Sequence, residues 1–119
     1  MPYKVTKKYY IHELQKKCHK IAVDHGFWGK DPIFANLGEK IALIHSELSE
    51  LLEVYRYGVG RSSHYLEGLT DLDSEEEEFA DIVIRIMDLA EARNVDLGRC
   101  IAVKSEFNKN REKMHGKKF

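Results

Sequence analysis

Apolar residues recur at helical spacing along most of the chain, and polar residues fill the positions between them. Ile11, Leu14, Cys18, Ile21 and Ala22 predict a first helix from about Thr6 to His25, which Gly26 ends. A loop through Asp31 and Pro32 follows. Leu37, Ile41, Ile44, Leu48, Leu51, Leu52 and Tyr55 form the stripe of a second helix over 36–57, stopped by Gly58 and Gly60. Residues 61–73 are mixed and polar, so they read as a loop with at most one helical turn. Ser74 followed by Glu77 has the spacing of a capping box and opens a third helix reaching about Arg93. Its inward positions are Phe79, Ile82, Val83, Ile86 and Leu89. Asp96 is the expected N-cap of a fourth helix ending near Met114, before Gly116. No segment alternates like a strand. The expected fold is all-α, a four-helix bundle formed by one domain over residues 1–119.

Composition agrees with a globular chain. Of 119 residues, 43% are hydrophobic, enough for a core, though a chain this short buries a modest share of its surface. The formal charge of −1 argues against a general nucleic-acid binder. The charge is uneven, however. Residues 39–91 hold 14 acidic and 4 basic groups, a net of −10, whereas 104–119 hold 6 basic and 2 acidic, a net of +4. An acidic middle and a basic end suit a site for both cations and phosphates. Cys18 and Cys100 lie in apolar helical patterns and are expected to be reduced core residues. The N-terminus lacks a signal-like apolar stretch, and no window has the length of a membrane span. The expectation is a cytoplasmic protein with no membrane and no nucleic-acid polymer as partner.

The most specific feature is a pair of carboxylate motifs. Glu47 and Glu50 form E-x-x-E on the second helix, and Glu78 and Asp81 form E-x-x-D on the third. Residues three apart share a helix face, so each motif presents two carboxylates side by side. Glu50 and Asp81 also border the apolar stripes. If the two helices pack together, four like charges converge, and a hard divalent cation relieves their repulsion. Acidic pairs on solvated faces are common, and Asp81 could instead pair with Arg85 on its own helix.

Together with their flanks, these motifs resemble the MazG-like all-α nucleoside triphosphate pyrophosphohydrolases, the group of the dimeric dUTPases and dCTP pyrophosphatases. The motifs read "ELSE" and "EFAD", separated by 27 residues, within "NLGEKIALIHSELSELLEVYR" and "EEEEFADIVIRIMDLA". The closing "KSEFNKNREKMHGKKF" is similar as well, so the resemblance spans about residues 10–119. It implies that Glu47, Glu50, Glu78 and Asp81 bind Mg²⁺, with Mn²⁺ as a substitute, and form the catalytic set. Water would attack the α-phosphorus of a (d)NTP and pyrophosphate would leave. Many relatives carry another glutamate directly before the first motif residue. Here that position is Ser46, a poorer Mg²⁺ ligand, which leaves the metal count open. The resemblance also implies a homodimer or homotetramer.

Phosphates need donors, and Lys104, Asn108 and Arg111 follow one another at steps of four and three along the expected fourth helix. His115, Lys117 and Lys118 extend the basic end. Trp28, with His25, is a base-pocket candidate by resemblance; Phe27 reads as core first, and Asn36 as either a base reader or a helix cap. Other chemistries lack their motifs. There is no Walker A loop, no H-E-x-x-H and only one E-x-x-H, Glu112 to His115. The alternative from a different class is a non-catalytic helical module that binds nucleotide or a partner helix.

Overall fold

A computed structural model describes residues 7–30 and 36–119. The expected start at Thr6 and the loop through Asp31 and Pro32 lie outside them. The described residues form four α-helices: α1 (Lys7–Asp24), α2 (Leu37–Tyr57), α3 (Ser74–Ala92) and α4 (Leu97–Lys109). Two 3₁₀ turns, Tyr65–Glu67 and Lys113–Gly116, complete the regular structure, and one isolated bridge joins Arg61 to Asp73. The all-helical bundle expected from the apolar spacing is present. No described helix is long and apolar enough to cross a membrane.

Helix α3 is the organising element, because both α1 and α2 pack against it, while α4 packs on α1. Ile82, Met87 and Ala90 of α3 are buried together with Trp28. A polar staple fixes the far end of the bundle. Gln15 is 1% exposed; its Nε2 donates to Glu91 Oε1 (3.0 Å) and Val95 O (2.7 Å), and its Oε1 accepts from Leu97 N (3.3 Å). One buried side chain on α1 thereby satisfies groups on both sides of the α3–α4 turn.

The helix ends follow local chemistry, with two differences from expectation. The N-cap of α3 is Asp73, not Ser74, and its capping-box partner is Glu76, not Glu77. Ser74 is engaged elsewhere, since its Oγ accepts from Gly60 N at 2.9 Å. Helix α4 ends at Lys109, five residues before the expected Met114. Asn110 Nδ2 donates to Glu106 O (3.1 Å), a local bond that competes with helix continuation, and Met114 and His115 then take positive φ. Asn36 caps α2 through Glu39 N, and Asp96 caps α4 through Arg99 N as expected.

Several stripe residues expected in the core are uncovered. On α2, Ile41, Leu48, Leu52 and Tyr55 stand 47–57% exposed, and on α3 Phe79 and Val83 are 50% and 42% exposed. The inward line of α2 is Ile44, Glu47, Leu51 and Val54, about a quarter-turn away. Cys100 is exposed rather than buried; Cys18 is half-buried, and both are free thiols.

Candidate metal centre

Packing of α2 on α3 brings the two motifs together. One carboxylate oxygen from each of Glu47, Glu50, Glu78 and Asp81 lies within 4.8 Å of the other three. Glu47 and Glu78 are each 8% exposed, Asp81 is half-buried and Glu50 faces solvent. The set therefore has a dry side and an open side. Arg85 Nε donates to Glu47 Oε1 at 2.7 Å, so one turn beyond Asp81 the third helix supplies a single guanidinium to the cluster. The alternative pairing of Asp81 with Arg85 gives way to this contact across the helices.

The remaining oxygens show what the arrangement lacks. Glu47 Oε2 and Glu78 Oε2 are both buried without a hydrogen-bond partner. An orphaned buried carboxylate oxygen is costly. Protons offset part of the repulsion. The bond to Glu47, with burial and the charges of Glu47 and Glu78, pushes Glu50 up to about 7. Burial and then the Asp81 charge push Glu78 up, although its bond to Glu50 opposes them. Burial and then the charge of Glu47 raise Asp81. Four carboxylates this close, two of which also carry an unpaired buried oxygen, fit a hard divalent cation. Ser46 takes no part, because its Oγ donates back to Leu43 O at 2.6 Å.

A clamp beside the cluster was not visible as chemistry in the sequence. Glu77 had the look of a helix-start residue, yet it is 4% exposed. It accepts from Ser63 N (2.9 Å), Ser63 Oγ (3.1 Å) and His64 Nδ1 (2.5 Å). Burial pushes the Glu77 carboxyl up, but the bonds from His64, Ser62 and Ser63 overcome it and leave it below the usual range. The bond to Glu77 raises His64. The polar loop is thus tied to α3 at the residue preceding Glu78. The signal available beforehand was the pairing of S-S-H with an acidic run, which is too common to assign.

The other candidates lie apart. Lys104, Asn108 and Arg111 are not among the residues that line the pocket at Glu47 and Asp81. Lys104 Nζ sits 4.6 Å from the Phe107 ring centre, and Asn108 Oδ1 is buried without a partner. Arg111 lies past the end of α4, where its Nη2 donates to His115 O (3.3 Å), so the expected three-residue helical face has only two members. Trp28 is a packing residue here: it is 4% exposed, its Nε1 donates to Asp88 Oδ1 (2.8 Å) and Lys40 Nζ lies 4.4 Å from its ring centre. Phe27, expected in the core, is instead the open ring at 59% exposure. His25 Nδ1 bonds to Ile21 O on its own helix.

No protein-family model matches the chain, and neither the curated proteins nor the solved structures contain a match to it.

Proposed function

We propose that the protein is a Mg²⁺-dependent hydrolase of the MazG-like kind that converts nucleoside triphosphates to monophosphate and pyrophosphate. The observation that carries this reading is the meeting of four carboxylates from two helices, with two buried oxygens left unpaired. Solvated acidic faces have no reason to bury such atoms. The motif spacing and its flanks supply the family likeness, and the choice of pyrophosphate over single phosphates as product rests on that likeness.

Glu47, Glu50, Glu78 and Asp81 are the residues that hold the metal in this reading. Mg²⁺ supplies charge neutralisation for a polyphosphate and a lowered pKa for water. Glu47 and Glu78 are fixed by burial, and Arg85 holds Glu47 in place. Glu50, on the open side, is the member of the set placed to accept a proton from an incoming water instead of a metal contact, a role that requires its ionised form. The uncovered apolar residues of α2 and α3 support the further proposal that the working form is a homo-oligomer.

The test is pyrophosphate release from a panel of NTPs and dNTPs with Mg²⁺ or Mn²⁺, beside calorimetric titration of Mn²⁺ alone. We expect release that EDTA abolishes. Glu50→Gln and Asp81→Asn should each lose about 10²-fold or more in turnover while keeping the helical circular-dichroism spectrum. Nucleotide binding with no release from any substrate would instead assign a non-catalytic module, and full turnover in either variant would remove these carboxylates from the site.

A further inference from the structure

Glu47 and Asp81 of the carboxylate cluster also line a pocket that the proposed chemistry leaves unexplained. The pocket offers about 170 Å³ among α1, α2, α3 and the turn after α1, and it is open to solvent. Glu47 and Asp81 border it together with Arg85, its apolar walls include Ile21, Phe27 and Ile84, and Asp88 also lines it. Ile21 and Phe27 are 49% and 59% exposed, so this apolar surface is open to a ligand. Asp88 follows Asp81 by seven residues on α3, which places it about 10 Å further along the helix. A nucleotide has this layout, with phosphates at one end, a flat apolar-faced ring at the other, and polar atoms only on the ring edge.

Asp88 is set to read that edge. Its Oδ1 accepts from Trp28 Nε1 (2.8 Å) and from His19 Nδ1 (2.7 Å), which immobilises the carboxylate. Among the described residues no donor meets Oδ2, which is the atom the inference gives to a ligand. A carboxylate only accepts, so it pairs with an N–H group. Cytosine, adenine and guanine carry an exocyclic amino group with N–H to spare. Uracil and thymine offer one ring N–H between two carbonyls, whose lone pairs oppose a carboxylate. We infer that this pocket is a nucleobase subsite and that Asp88 selects amino-bearing bases over uracil and thymine. The inference rests on the nucleotide reading above, yet it concerns binding and needs no turnover.

Trp28 is the single tryptophan and donates to Asp88, so its fluorescence reports on the subsite directly. Titration of the 119-residue chain with CMP and UMP, which match in size, tests base selection without metal or hydrolysis. We expect saturable change with CMP and binding of UMP weaker by about tenfold or more, the scale of one charge-assisted hydrogen bond. Asp88→Asn, which can turn an amide N–H outward, should narrow or invert that ratio. Equal affinities in the parent protein would overturn the inference, as would an unchanged ratio in a folded Asp88→Asn. Selective CMP binding without pyrophosphate release from CTP or dCTP would sink the hydrolase reading and leave the subsite standing. Release from all bases at equal kcat/KM would do the reverse.

Discussion

Glu50 shows how much one side chain's surroundings can alter its chemistry. An exposed glutamate ordinarily titrates near 4.5, and here the bond to Glu47 comes first among the causes that push it up to about 7. The consequence for stability has a definite sign. Between about 4.5 and about 7 the metal-free folded chain holds a proton that the unfolded chain has lost. This contribution is complete below the unfolded value and disappears as pH rises through the folded one. Glu78 and Asp81 shift in the same direction. The melting temperature of the EDTA-treated protein should therefore fall as pH rises from 5 to 8. Mg²⁺ should restore it at pH 8 and do little at pH 5, because ligation displaces the shared protons. Scanning calorimetry across that range checks both statements, and a melting temperature that climbs with pH in EDTA would contradict them.

At the scale of elements, helix existence was legible in the sequence and helix function only partly. Apolar spacing located all four helices, and E-x-x-E with E-x-x-D marked the two faces that meet. The cap of α3 was displaced by one residue because two acidic residues in succession, Glu76 and Glu77, satisfy the same spacing rule from Asp73 and from Ser74. Only the tertiary contacts of the loop decide between them, since His64 and Ser63 draw Glu77 away from the cap. Loop and helix then form one unit, with Glu77 immediately before Glu78 of the carboxylate cluster. Removing the acceptor leaves the Ser63 N–H without its partner. Glu77→Ala should thus lower stability by about 1–3 kcal/mol, measured by urea unfolding. It should also raise protease cleavage within residues 61–73. A loop that stays equally protected would show that the clamp is incidental.

The whole molecule carries its apolar surface in a way that a single chain does not explain. Helix α2 has two apolar lines: Ile44, Leu51 and Val54 turn toward α3, while Ile41, Leu48, Leu52 and Tyr55 remain about half exposed. Sequence periodicity merged the two lines into one wide stripe, since apolar spacing reports burial without saying against what. Phe79 and Val83, one turn apart on α3, add to the uncovered surface. The second line has steps of seven, four and three, the spacing of a helix seam. A second copy of the chain would present the same seam, and a two-fold pairing would cover both at once. Light scattering at micromolar concentration should accordingly give a multiple of the 13.8 kDa chain mass. Leu48→Lys with Leu52→Lys, both solvent-facing in the single chain, should reduce the mass to that of one chain while the helical spectrum persists. A parent protein that scatters as a monomer would mean that these side chains are tolerated in water, and the seam would then have no structural role.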